Sequence, residues 1–203
     1  MTAGAAHFYR AVVIGCSAGG LAALSRVLPS LPASFPVPLV IVQHLNPRAR
    51  SRLPHLLQPK CAIDVREADE KIKPQPGVAY FVPPNYHLLL ESDGTFALSV
   101  DEPVNFSRPA IDVTFETAAE LYGPALIGVV LTGASTDGSR GLARIKALGG
   151  YTIVQDPEEA QSEVMPQSAI QAAQPHLVLP LRDIGPMLIR LGEGRRNFQS
   201  KMG

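Results

Sequence analysis

The chain has 203 residues, enough for one α/β domain with a substantial core and marginal for two, so a single domain over 1–203 is expected. Eighteen basic residues balance eighteen acidic ones with no long like-charge run, which argues against nucleic acid and against an anionic membrane surface as partners. No stretch approaches the roughly 20 apolar residues of a membrane helix and residues 1–10 lack a long apolar core, so no membrane insertion is expected and the compartment read from the sequence is cytoplasmic.

The first informative stretch is Val12-Val13-Ile14-Gly15-Cys16-Ser17-Ala18-Gly19-Gly20. An apolar β-branched run, a glycine, a serine and two more glycines lead into Leu21-Ala22-Ala23-Leu24, which predicts a buried strand, a tight turn carrying Ser17, and a helix. Such a turn lifts a side chain off the carboxyl edge of a sheet, beside unpaired N–H groups at a helix N-terminus, so it suits a nucleophile next to an anion-stabilising site. The glycines have three other uses: a sharp turn without chemistry, a dinucleotide-binding turn, and a P-loop. Ser17 stands where G-x-G-x-x-G needs its middle glycine, and the next strand ends in Gln43-His44 rather than in an acidic ribose ligand. A P-loop would need Gly-Lys-Ser/Thr, which is missing, and no cofactor is expected. Cys16 points by alternation away from Ser17, and with Cys61 it forms no C-x-x-C pair, so no disulfide framework is expected.

A helix over 21–28 stops before Pro29, and Pro32, Pro36 and Pro38 mark a rigid loop. Leu39-Val40-Ile41-Val42 is a continuous apolar run, the pattern of a strand buried on both faces of a parallel sheet. It exits at Gln43-His44, which places His44 on the same carboxyl edge as Ser17; the rival use of His44 is a core histidine satisfied by backbone. A short helix over 53–57 and a strand Ala62-Ile63-Asp64-Val65 follow. Over 77–100 short runs alternate with turn signals, including Asp93-Gly94, and an antiparallel excursion off the edge of the parallel sheet is expected there. His87, beside Pro83-Pro84, has no acid or nucleophile near it in sequence and reads as structural.

Ser107-Arg108-Pro109-Ala110-Ile111-Asp112 is expected to open a helix, with a proline in the first turn and Asp112 complementing the dipole; Arg108 could instead contact substrate. The apolar strand over 125–131 exits into a second glycine-framed turn, Thr132-Gly133-Ala134-Ser135-Thr136-Asp137-Gly138. Asp137 either caps the helix over 139–148 or supplies an acid on the edge that carries Ser17 and His44. A strand over 151–155, a loop or short helix from Asp156, a helix from Met165, a strand over 177–179, a helix over 181–191 and a polar, frayed tail over 195–203 complete the chain. The fold class is therefore α/β: a doubly wound, mostly parallel sheet flanked by helices, with the antiparallel excursion around 77–100.

Ser17, His44 and Asp137 each follow a buried parallel strand, so the fold can gather them at one edge. A serine hydroxyl needs an imidazole to take its proton, and a carboxylate fixes the tautomer of that imidazole and stabilises its charged form. The order Ser, His, Asp differs from those of the α/β-hydrolases, chymotrypsin and subtilisin. Backbone N–H groups of Ala18 and Ala134, in the two glycine turns, are candidate oxyanion donors, worth on the order of 3 kcal/mol each. The five histidines are scattered without ligand spacing, and no metal is expected.

These motifs carry a resemblance. From Ala11 to about Leu191 the chain resembles the catalytic domain of CheB-type chemotaxis protein-glutamate methylesterases. The resemblance rests on Ile14-Gly15-Cys16-Ser17-Ala18-Gly19-Gly20, Val42-Gln43-His44, Pro83-Pro84 with His87-Leu88, Ser107-Arg108-Pro109-Ala110-Ile111-Asp112, Leu131-Thr132-Gly133 through Asp137-Gly138, Val154-Gln155-Asp156-Pro157, and Met165-Pro166 through Ala169-Ile170. It implies hydrolysis of glutamate γ-methyl esters on the cytoplasmic domain of methylated chemoreceptors, with release of methanol and often deamidation of receptor glutamines. It places the family's serine, histidine and aspartate on Ser17, His44 and Asp137. The family often has threonine and methionine where this chain has Ala18 and Ala134. Many members also carry an N-terminal receiver domain that this chain does not show, which implies constitutive activity, control by a separate regulatory protein, or origin in a larger polypeptide. The competing expectation from a different class is a non-catalytic scaffold of the same fold in a signalling complex.

Overall fold

A computed structural model describes residues 9–45 and 52–194. In chain order the described residues form β1 Ala11–Cys16, α1 Gly20–Val27, β2 Leu39–Gln43, α2 Leu53–Leu57, β3 Asp64–Glu67, β4 Val78–Phe81, β5 His87–Leu90, β6 Phe96–Ser99, α3 Ile111–Tyr122, β7 Leu126–Val130, α4 Ser139–Ala147, β8 Tyr151–Gln155, α5 Val164–Ala173, β9 Leu177–Leu179 and α6 Leu181–Gly192, with one-turn 3₁₀ segments between some of them. Seven strands make one sheet in the order β3-β4-β2-β1-β7-β8-β9, and every pairing in it is parallel. The polar tail expected over 195–203 lies outside the described residues.

The central strands are apolar throughout because both faces are covered. All six residues of β1 and all five of β2 and of β7 are buried. Alternation sends Val12, Ile14 and Cys16 to the face covered by α1, α2 and α6, and Ala11 and Val13 to the face covered by α3, α4 and α5. Each such Val, Leu or Ile contributes roughly 1.5–3 kcal/mol relative to exposure. Gly15 lets α3 sit close: a Cβ there would lie 2.4 Å from Ile111 Cγ2. The first residue of α3 thereby rests directly on the carboxyl end of β1.

The hairpin is narrower than the turn signals over 77–100 suggested. β4 joins the parallel sheet between β3 and β2, with Ala79 opposite both Leu39 and Val65, and its four residues are buried. A strand buried on both faces needs partners on both sides, which a solvated excursion does not offer. Only β5 and β6 form the separate antiparallel pair, closed by a turn in which Gly94 has φ +83° and the Asp93 carboxylate accepts hydrogen bonds from Thr95 N and Oγ1 at 2.9 and 2.7 Å.

The chain leaves β1 toward β2 on one side and returns as β7 on the other, so consecutive connections diverge: α1 crosses one face and α4 the opposite one. The crevice between such diverging loops is where open α/β sheets bind ligands. Ser17 follows β1, His44 follows β2 and Asp137 follows β7.

Candidate active site

Ser17 is held at the mouth of β1 by its own backbone. Its N–H donates to Thr132 O at 2.9 Å, and its carbonyl accepts from Gly20 N and from Gln43 Nε2, each at 2.9 Å. The Thr132 hydroxyl donates to Ala18 O at 2.9 Å and accepts from Ser162 N at 2.9 Å, fastening the serine turn to the β7 exit. Gln43, only 6% exposed, also donates from Nε2 to His44 O at 3.0 Å, while its Oε1 accepts from Cys16 Sγ at 3.1 Å. One carboxamide thus ties the serine turn to the histidine exit. Burial pushes the Cys16 thiol well above its ordinary range, so it stays a neutral donor.

His44 lies across the β1–β2 ladder from Ser17. Cys16 pairs with Gln43, and His44 N donates to Cys16 O at 3.1 Å, so Ser17 and His44 are the first residues beyond two adjacent strand ends. The imidazole is 13% exposed and its Nε2 lies 2.7 Å from Asp137 Oδ2. Nε2 is thereby committed to the carboxylate, and Nδ1 is the other ring nitrogen.

Asp137 has no solvent exposure and four donors. Oδ2 accepts from His44 Nε2 and, at 2.6 Å, from Ile111 N; Oδ1 accepts from Asn105 Nδ2 at 2.9 Å and from Asp112 N at 3.1 Å. Burial alone would raise its pKa, but the bonds from His44, Asn105, Ile111 and Asp112 outweigh burial and hold the carboxyl below the usual carboxylate range. The group is ionised, and each of its two oxygens accepts two hydrogen bonds.

Two local expectations change here. Asp137 does not cap the helix that follows it but takes the first amides of α3, and α3 begins at Ile111 rather than at Ser107 because those amides are capped from the β7 exit. Asp112 does the reverse: its Oδ1 accepts from Gly138 N at 2.9 Å and Gly141 N at 2.8 Å, capping α4, while its Oδ2 accepts from Asn105 Nδ2 at 3.0 Å. Burial, with the Asp137 charge added, raises the Asp112 pKa against the bonds from Gly141 and Asn105. Arg108 is committed to loops, its Nη1 donating to Val100 O and Asp101 O and its Nε and Nη2 to Asn85 Oδ1. His87 is structural, its Nδ1 accepting from Ala110 N at 3.2 Å and its Nε2 facing Glu102 O at 3.2 Å.

The amides of Ala18 and Ala134 make no hydrogen bond to any described residue, and both residues are exposed beside Ser17 and the β7 exit. An open cleft of about 490 Å³ borders Ser17, lined by Leu21, Gln43, Leu45, Leu53 and Gln161. Among the described residues no three His, Cys, Asp or Glu side chains converge to hold a metal ion.

The profile of the family described as CheB methylesterase matches residues 12–188. The chain belongs to the CheB methylesterase family. A Leptospira interrogans relative, named for protein-glutamate methylesterase and protein-glutamine glutaminase activity, is 50% identical over 185 residues, covering 91% of this chain and 96% of the relative. A Symbiobacterium thermophilum protein-glutamate methylesterase/protein-glutamine glutaminase is 38% identical over 186 residues, of which this chain spans only 51% of the length. The crystal structure of the Thermotoga maritima CheB methylesterase catalytic domain superposes with a TM-score of 0.87 at 37% identity, covering 90% of this chain and 98% of that one. The seven-stranded parallel sheet with its small hairpin is therefore the CheB catalytic-domain fold. Gln43, Asn105 and Asp112 are the site-shaping residues that sequence reasoning did not single out for these roles; the one local signal was the position of Gln43 beside His44 at a strand exit.

Proposed function

We propose that the chain is a protein-glutamate methylesterase that hydrolyses glutamate γ-methyl esters on the cytoplasmic domain of methylated chemoreceptors, and that deamidates receptor glutamines by the same steps. The observation that carries this reading is the 2.7 Å His44–Asp137 bond at the exit beside Ser17, in a chain of the CheB family. Ser17 Oγ attacks the γ-carbonyl carbon as His44 Nδ1 takes its proton, and Asp137 stabilises the imidazolium. The amides of Ala18 and Ala134 receive the oxyanion. The tetrahedral intermediate expels methanol, which leaves with the proton from His44, and a γ-glutamyl ester of Ser17 remains. Water then attacks that ester, His44 takes the water's proton and returns it to Ser17 Oγ, and a glutamate carboxylate is released. With a glutamine side chain the leaving group is ammonia.

The test is methanol release from methylated chemoreceptor cytoplasmic fragments by the purified chain and by Ser17→Ala. Release is expected from the wild type, with a fall of about 10³-fold or more in the mutant. Turnover retained by Ser17→Ala would overturn the nucleophile assignment, and silence of the wild type would favour the non-catalytic scaffold.

A further inference from the structure

Asn105 stands out among the groups around the site that the mechanism does not use. The residue itself is exposed, yet its Nδ2 reaches inward and donates one proton to Asp112 Oδ2 at 3.0 Å and the other to Asp137 Oδ1 at 2.9 Å. Among the described residues it is the one side chain that hydrogen-bonds both carboxylates. Its backbone is bent to do so: Asn105 has φ +51° and Phe106 φ +60°, inside a tight turn closed by Ser107 N to Val104 O at 2.9 Å and Val104 N to Ser107 O at 3.1 Å. Two consecutive non-glycine residues in the left-handed region are costly, and Phe106 is fully exposed, so no packing of its ring offsets the strain.

We propose that Asn105 is a positioning residue for the hydrolysis, its carboxamide setting the orientation and charge that Asp137 presents to His44. The proposal rests on the assignment of Ser17, His44 and Asp137 given above. The titratable and charged groups around the carboxamide are Asp137, Asp112, His44 and Arg140, whose Nε lies 3.8 Å from Asp112 Oδ2 and 2.6 Å from Glu116 Oε1. A neutral two-proton donor suits the gap between two buried carboxylates. It draws charge from each oxygen without neutralising either, whereas a cation there would compete with the imidazolium for Asp137. Without Asn105, more negative charge faces His44 and the imidazolium form is favoured. The general base works only as neutral imidazole, so the acid limb of the pH–rate profile must move to higher pH.

Two variants test this. Asn105→Gly removes the carboxamide while tolerating the turn's positive φ, and Asn105→Asp keeps the shape while replacing the donor with a third acid. Hydrolysis of methylated receptor fragments is followed against pH, together with the low-field proton resonance of the His44 Nε2–H···Asp137 bond, which needs no substrate. Expected for Asn105→Gly are a kcat about tenfold lower at unchanged KM, the loss of one charge-assisted hydrogen bond, and an acid limb displaced to higher pH. Asn105→Asp is expected to move the limb further and to displace the resonance. A limb and resonance unchanged in both variants would make Asn105 a mere loop residue and overturn the proposal. A wild type that releases no methanol, but whose resonance moves on substitution, would instead overturn the reaction and leave the positioning role standing.

Discussion

Gly20 and Gln43 offer a test of how the serine turn is locked to the histidine exit. In Gly20→Ala the new Cβ would lie 2.0 Å from Gln43 Oε1 and 2.9 Å from Cys16 Sγ. A glutamine tip usually moves aside at little cost, but this one is buried and engaged with Ser17 O, His44 O and Cys16 Sγ, so it moves only by giving up those bonds. Two amide bonds at about 1 kcal/mol each and an overpacking cost of roughly 1–3 kcal/mol are partly offset by alanine's helical advantage of up to about 1 kcal/mol. The net loss is about 2–4 kcal/mol. Gln43→Ala forfeits those two bonds and the weak one from Cys16 Sγ and leaves a void, for a similar loss. In the double variant the added methyl enters the space the carboxamide vacates, so the second substitution should cost almost nothing beyond the first. The four proteins are compared by urea unfolding with linear extrapolation. A coupling energy of about 2 kcal/mol is expected, and single-variant losses that add to within about 0.5 kcal/mol would refute the steric argument. Both single variants should also label more slowly at Ser17 with a serine-directed phosphonate.

Phe106→Gly should stabilise the protein by about 0.5–1 kcal/mol, because φ +60° is free for glycine and the fully exposed ring has no packing to lose. That corresponds to a rise of about 2 °C in Tm by calorimetry, and a fall would show that the ring is engaged. The Asp137 carboxyl titrates in the folded state below its ordinary value of 3.8, so its contribution to stability is present above that pH and is lost as pH falls through the folded value. Urea unfolding from pH 7 downward should therefore show stability falling more steeply below about pH 4 in wild type than in Asp137→Ala. Parallel pH curves for the two proteins would contradict the bond network around Asp137.

The parallel core was legible because a strand buried on both faces has to be apolar on both, as Val12-Val13-Ile14 and Leu39-Val40-Ile41-Val42 are. The three strand exits were legible for the same reason: once such a run is recognised as central, the first polar residue after it lies at the carboxyl edge. β4 was not, because Val78-Ala79-Tyr80-Phe81 is too short to distinguish a central strand from a hairpin strand and stands next to a true hairpin. The start of α3 was misplaced because Pro109 mimics a first-turn proline, whereas the boundary is set by a carboxylate 25 and 26 residues further along the chain. No local pattern reports a cap of that range, and the same limit hid Asn105 and Asp112.

The exchange of caps explains how Asp137, the acid of the proposed site, is held in place from outside its own loop. Had Asp137 capped α4, its position would follow the conformation of its own seven-residue turn. Instead its oxygens are fixed by the first amides of α3, while the turn that carries it is fixed through Gly138 N and Gly141 N by Asp112 of α3. Each helix therefore positions the acid of the other, and the geometry of the His44 partner is set by the packing of α3 against α4. The arrangement places two carboxylates close together, and the structure answers with backbone donors on both, one shared carboxamide between them, and the Arg140 guanidinium 3.8 Å from Asp112 Oδ2. In the mechanism proposed above, neutral donors temper the charge of Asp137 without cancelling it, and that charge is what an imidazolium formed in the transition state requires.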